Sequence, residues 1–263
     1  MAARARWPVA LGSKRGILGA MPVRFPGETA GYRSARDRLL ELEIALRRQT
    51  EAVAVARREL PLGGPLREDY AFDASPTATV RLSELFEGRP SLAVYSMMFP
   101  RDPADRRPGA ASGETARLEL VDAPCPSCAA LLDQLDGAVE HVEPYLSLVV
   151  VARAPIERVL AFAKERGWKR LRMLSSSSNG YSSDYHGESR EGFPRPMLNV
   201  FSWNEGAVRH HWGSEMLYAA TDPGQDPRHL GTLEPMWNLF DLTREGRGAD
   251  WEEQLQYPCC SCG

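Results

Sequence analysis

From Thr29 to Leu60 apolar residues return in alternating three- and four-residue steps: Tyr32, Ala35, Leu39, Leu42, Leu46, Val53, Ala56 and Leu60, broken only by Gln49. Positions so spaced share one face of a helix with ~3.6 residues per turn. The pattern predicts a single long helix over 29–62, with Arg36, Arg47, Arg48, Arg57 and Arg58 off the stripe and Pro61 with Gly63-Gly64 as its stop. Such a helix packs on its own domain or pairs two copies into a homodimer. Gln49 and the alanines on the stripe weigh against a coiled-coil seam.

Beyond the stop the period changes. Asp69–Asp73 and Thr79–Leu82 predict short extended pieces, and Ser83–Phe86 a helical turn closed by Gly88. Leu92–Phe99 is a continuous apolar run of strand length, the mark of a buried central strand. Residues 100–116, rich in Pro, Arg, Ala and Gly, predict an inserted loop, and the alternation over Arg117–Val121 a further strand piece. A helix is predicted from about Cys128 to His141 and a second buried strand over Tyr145–Ala152. The next helix has Pro155 in its first turn, runs through Arg166 and stops at Gly167. Ser175–Gly180 is a polar loop. Met197–Trp203 and Ala207–Trp212 predict a hairpin across Asn204-Glu205-Gly206, followed by a helical stretch near Leu233–Phe240 and a polar tail.

Into this pattern Cys125-Pro126-Ser127-Cys128 places two thiols three positions apart at the start of a helix. The positive end of the helix dipole favours a thiolate there. Pro126 fixes φ in the turn and deletes one N–H donor. The remaining cysteines, Cys259, Cys260 and Cys262, crowd the last five residues. Two tight clusters are unlike the scattered bridges of a stapled secreted domain, so a reducing compartment, the cytoplasm, is expected.

Composition narrows the classes. With 43% hydrophobic and 25% charged residues, 263 residues and a net charge of -3, the chain has the profile of a soluble globular protein. That charge argues against a nucleic-acid binder, and no run approaches the ~18 apolar residues of a membrane span. Residues 1–28 carry five basic residues before the first acid, Glu28, and no continuous apolar stretch of secretory type. A disordered or cleavable arm is expected there, with Met21 a second possible start. No phosphate loop or dinucleotide fingerprint is present and no cofactor is expected.

The element order, strand–helix–strand–helix followed by a hairpin and a closing helix, is the thioredoxin arrangement, an α/β fold with a mixed central sheet flanked by helices. Thioredoxin-like proteins place a cis proline before the third core strand, facing the dithiol. Pro196, ahead of Met197-Leu198-Asn199-Val200-Phe201, is the first candidate and Pro194 the second. Several segments further resemble a bacterial thioredoxin-like family catalogued as domain of unknown function 899. They are Tyr32-Arg33-Ser34-Ala35-Arg36-Asp37, Asp69-Tyr70-Ala71-Phe72-Asp73, Cys125-Pro126-Ser127-Cys128, Val149-Val150-Val151-Ala152-Arg153-Ala154-Pro155, Ser183-Asp184-Tyr185-His186 and Trp237-Asn238-Leu239-Phe240-Asp241-Leu242-Thr243. The resemblance implies a thioredoxin fold over about 63–248, dithiol chemistry by analogy, and a Cys-rich tail over 249–263. Two departures stand out: the long, basic segment Pro100–Pro124, and Ala123-Pro124 where thioredoxins carry a tryptophan before the first cysteine.

Three functions remain open. In the first, Cys125 attacks, Cys128 resolves, and Pro126, Ser127 and Pro196 shape the docking site for a thiol or disulfide substrate or a reductase partner, with Cys259, Cys260 and Cys262 as possible relay thiols. In the second, the five thiols hold zinc, copper or mercury. In the third, the fold serves only to bind a partner. His186, beside Asp184 and Tyr185, is a candidate proton shuttle, and His210-His211 fall in a predicted strand, though a structural role is the simpler account of each. Trp203, Trp212 and Trp237 are expected in the core.

Overall fold

The structure is a computed structural model in which residues 23–244 and 252–257 are described. It falls into two compact units, the first ending at Glu59 and the second beginning at Leu60. Most of the expected N-terminal arm, residues 1–22, lies outside the described residues.

In the first unit the long helix forms as expected. α1 spans Ala30–Arg58, and the Thr29 hydroxyl caps it by accepting the Tyr32 N–H at 3.1 Å. Arg57 and Arg58 stand in the last turn, where the dipole is negative. No residue of α1 is buried.

In the second unit seven strands form one sheet in the order β2-β1-β5-β4-β3-β6-β7. They are β1 (Ala71–Ser75), β2 (Ala78–Arg81), β3 (Ser91–Met97), β4 (Ser147–Ala152), β5 (Arg172–Ser175), β6 (Met197–Asn204) and β7 (Ala207–Gly213). β3, β4 and β5 run parallel, β6 and β7 antiparallel, and the β1–β2 hairpin closes the far edge. α2 (Pro126–Val142) joins β3 to β4, and α3 (Ile156–Arg166) joins β4 to β5. The result is the thioredoxin-like sheet that the element order predicts.

Alternation along β3 sorts the core. Ala93, Tyr95 and Met97 join α2 and α3 in one buried cluster, while Leu92 and Val94 join Phe72, Leu82, Leu85 and Phe86 in the other. The second cluster is completed by Tyr181 of the short helix α4 (Tyr181–Asp184). With Leu92 and Val94 fully buried, cutting either to alanine removes contacts on both sheet neighbours and costs roughly 1–5 kcal/mol. Gly167 caps α3 at φ 76°, and Glu205-Gly206 turn the β6–β7 hairpin at φ 52° and 77°.

Several expectations are corrected. Arg117–Val121 is not a strand: Thr115–Arg117 and Leu120–Asp122 are 3-10 turns, because the insertion folds on itself and against Glu165 rather than along the sheet. β5 falls in a stretch where the pattern predicts no element; its four residues are too few to show a period. Trp203 is 48% exposed, covering Phe86 from outside the core. Among the described residues the cis peptide is Phe99–Pro100 and not the bond before Pro196. Phe99 is buried, and its carbonyl accepts the Ala154 N–H at 2.6 Å, which fixes the chain as it leaves β3. A final helix, α5 (Pro235–Phe240), follows a 3-10 turn over Gly231–Leu233, and among the described residues no helix is long and apolar enough to cross a membrane.

Candidate active site

The dithiol sits where α2 meets the end of β3. Cys125 is the N-cap of α2 and Pro126 its first residue. The Cys125 N–H donates to the Met98 carbonyl at 2.9 Å, and the Met98 N–H points at Cys128 Sγ at 3.5 Å. The helix start is thus stitched to the strand end. Both cysteines are free thiols, and both are buried: Cys125 is 0% exposed and Cys128 1%.

Their environments pull the two thiols apart. A hydrogen bond from Cys128 lowers Cys125; burial opposes it, and the Cys128 backbone N–H and the charge of Arg107 add to the lowering, leaving Cys125 at about 7 against an ordinary 9.0. Cys128 is pushed up because it gives its proton toward Cys125 and is buried beside a negative sulfur. The Tyr95 hydroxyl, 3.3 Å from Cys128 Sγ, and the Met98 N–H partly offset this. One thiol is therefore the more readily ionised and the other is kept protonated beside it.

The insertion after β3 supplies the charge. Arg101, fully buried, clasps the base of that loop: its backbone N–H donates to the Ala123 carbonyl, Nη2 to the Pro124 carbonyl at 2.8 Å and Nη1 to the Arg107 carbonyl at 2.6 Å. Arg107 is thereby held over the dithiol, with Nη2 3.7 Å from Cys125 Sγ and Nη1 2.8 Å from Ser127 Oγ. Burial works against its charge, but Asp105, hydrogen-bonded at 2.8 Å, and the Cys125 sulfur hold it firmly protonated.

The C-terminal segment closes the site. Glu253 is 6% exposed, and its Oε2 accepts from Ser127 Oγ at 2.9 Å and Arg107 Nη1 at 3.2 Å. Its Oε1 accepts from Trp237 Nε1 at 2.7 Å. Leu255 is buried with the dithiol cluster, and Gln256 Oε1 accepts the Ala111 N–H at 3.0 Å.

Of the residues singled out from sequence, the structure brings Cys125, Pro126, Ser127 and Cys128 together at one helix start. Pro196 lies one residue beyond the Ser96–Met197 pair, which sets it beside Met97 at the same end of the sheet. Asp184 and Tyr185 are not at the dithiol. Asp184 accepts from Tyr70 at 2.6 Å and Arg67 at 2.7 Å, Tyr185 packs on the opposite face of the sheet, and the His186 carbonyl accepts from Tyr218. His210 bonds Asn199 at 3.0 Å and lies against Tyr185 and Phe201, a structural setting in which burial lowers its pKa. Trp212 packs against the core as expected, and Trp237 turns its indole to Glu253. Cys259, Cys260 and Cys262 lie outside the described residues, within which no cluster of three or more metal-ligating side chains occurs. Sequence inspection missed Tyr95, Arg101, Arg107 and Glu253. The basic character of the insertion was a signal for the two arginines, and nothing local marks Glu253.

A family model described as a bacterial protein of unknown function (DUF899) matches residues 22–259. No curated protein matches the chain. Among solved structures it is similar to peroxiredoxin Q of Xanthomonas campestris, at 10% identity over 55% of this chain and 78% of that one, with a TM-score of 0.39. It is also similar to the peroxidoxin BcpB of Mycobacterium tuberculosis, at 15% identity over 67% and 96% of the two chains and a TM-score of 0.40. For the exposed lipoprotein thioredoxin of Streptococcus pneumoniae the figures are 16% identity, 64% and 99% coverage, and a TM-score of 0.35.

Proposed function

The chain belongs to the DUF899 family of bacterial proteins, and from that premise we infer that it is a dithiol oxidoreductase, with Cys125 the nucleophile and Cys128 the resolving thiol. The observation that carries this is the opposed tuning of the pair: Cys125 lowered to about 7 at a helix N-cap, Cys128 raised behind it. At neutral pH about half of a thiol with that value is ionised, against a few per cent of an ordinary one.

In the exchange reaction the Cys125 thiolate attacks one sulfur of a substrate disulfide, forming a mixed disulfide and releasing a thiolate. Cys128 then attacks the Cys125 sulfur, its proton passing to the departing substrate thiol. The Cys125–Cys128 disulfide closes and the reduced substrate leaves. Tyr95 and the Met98 N–H, both directed at Cys128 Sγ, stabilise its thiolate as that second step proceeds. A dithiol reductant returns the pair to its starting state.

Intact mass before and after mild oxidant tests this. A reversible loss of ~2 Da, two thiol hydrogens removed as one disulfide closes, is expected, with peptide mapping placing the new bond between Cys125 and Cys128. A protein that keeps both thiols through oxidation, or whose thiols are shielded by a stoichiometric metal, would refute the reading.

A further inference from the structure

We propose that the oxidised substrate of this dithiol is a small hydroperoxide, whose leaving oxygen takes over the contacts now made by Glu253 Oε2. The proposal rests on the dithiol assignment above and deepens it.

Access comes first. Cys125 is 0% exposed, and the Arg107 guanidinium beside its sulfur is bonded in turn to Ser127 and Glu253. A protein disulfide must bring two flanking chains up to the attacked sulfur, roughly in line with the incoming thiolate. A hydroperoxide presents only a terminal O–H, and moving one carboxylate makes room for it.

The donors point the same way. Beside the sulfur stand a guanidinium, Nη2 at 3.7 Å, and next to it Nη1 and the Ser127 hydroxyl. Sulfur accepts hydrogen bonds less strongly than oxygen, so these N–H and O–H donors stabilise a departing oxygen anion more than a departing thiolate. Glu253 Oε2 already shows the arrangement, an anionic oxygen held by Ser127 at 2.9 Å and Arg107 at 3.2 Å. The carboxylate stands where that product oxygen would be stabilised, and it competes for the site.

The chemistry balances. The Cys125 thiolate attacks the terminal oxygen of ROOH; an S–O bond forms, the O–O bond breaks, and its electron pair leaves on RO⁻, which takes a proton from water. Cys125 is now a sulfenic acid. The Cys128 thiol condenses with it, forming the disulfide and releasing water. A dithiol reductant supplies the two electrons that reset the pair. Cys128, kept protonated and adjacent, is suited to this condensation.

The test measures second-order rates of Cys125 oxidation in full-length reduced protein, read by peptide mass, with hydrogen peroxide, cumene hydroperoxide and glutathione disulfide as probes. A hydroperoxide is expected to be the fastest oxidant, and Cys128→Ser to trap the Cys125 sulfenic acid as a dimedone adduct. Arg107→Met is expected to slow peroxide oxidation on the order of 100-fold, compared at a pH where Cys125 is ionised in both proteins. Glu253→Ala is expected to accelerate it, and Glu253→Gln, which keeps the shape, to do so more weakly. Glutathione disulfide outpacing both peroxides would overturn the proposal and leave the dithiol assignment standing. Slower oxidation in both folded Glu253 variants would overturn the placing of the leaving oxygen. If no probe closes the Cys125–Cys128 bond, the dithiol assignment falls as well.

Discussion

Replacing Arg107 with methionine isolates the electrostatic part of the site. The guanidinium lies 3.7 Å from Cys125 Sγ. For unit charges ~4 Å apart, an effective dielectric of about 20 gives about 4 kcal/mol. Asp105 at 2.8 Å and Glu253 at 3.2 Å draw on the same cation, and its side chain is 18% exposed. Taking a third to a half of the Coulomb figure leaves about 1.4–2 kcal/mol, or roughly 1–1.5 pKa units at 1.36 kcal/mol per unit. Cys125 in Arg107→Met should thus titrate near 8 to 8.5, up from about 7. The assay is the pH dependence of Cys125 carbamidomethylation, resolved by peptide mass so that the other thiols do not interfere. The midpoint is read rather than the absolute rate, because burial slows alkylation at every pH. Cys128→Ala serves as comparison, since the hydrogen bond from Cys128 is the largest cause of the lowering. A midpoint that stays within ~0.3 unit of wild type would show that Arg107 does not stabilise the thiolate, and that the helix start and Cys128 act alone.

Tyr95→Phe removes a donor to Cys128 Sγ, and disulfide closure after Cys125 oxidation is expected to slow roughly tenfold, the worth of one such bond; an unchanged rate in rapid-quench experiments would contradict this. The Cys125 shift also predicts a pH dependence. Its folded value lies below its unfolded one, so the reduced protein gains stability as pH rises from about 7 to 9.0 and loses it as pH falls through about 7. Denaturant melts of wild type against Cys125→Ser across that window should diverge with rising pH, and parallel curves would refute the shift. Asp136 Oδ1 accepts three backbone N–H groups, from Lys169, Arg170 and Leu171, at 2.8–3.0 Å. Asp136→Ala should therefore cost roughly 1–3 kcal/mol in the same melts, and a loss well below that would show the loop to be held by other contacts. Along α1, Leu42 and Leu46 are 68% and 67% exposed; Gln49 and the alanines of the stripe weigh against a coiled-coil seam, so Leu42→Glu with Leu46→Glu should leave the sedimenting mass unchanged, whereas a mass that halves would show that the stripe pairs two copies.

Much of the scaffold was legible because its elements are long enough to show their periods. The 29 residues of α1, the apolar runs of β3 and β4, and the glycine stop of α3 each declare themselves locally. The dithiol was legible because both members lie within one helical turn. The residues that tune it were not. Arg107 reaches Cys125 only because Arg101 folds the insertion back, and a buried arginine cannot be told from a surface one in a stretch rich in both. Glu253 is 126 residues from Ser127 in the chain and meets it through tertiary structure alone. Sequence likewise shows which bonds can be cis but not which one is: the cis peptide precedes Pro100 rather than Pro196.

Glu253 also gives the site a history. The dithiol, the helix that carries it and the arginine loop are all synthesised long before the residue that covers them. Until Glu253 has been made and has docked, Arg107 holds Asp105 alone, Ser127 Oγ lacks its carboxylate, and the surroundings of the thiolate are incomplete. The nascent chain therefore passes through a stage with its nucleophile less covered, which ends when Glu253 docks. Ribosome-bound chains arrested before Glu253 should show Cys125 alkylated much faster than the released protein; equal rates would mean that the cover adds nothing to the protection of the thiol.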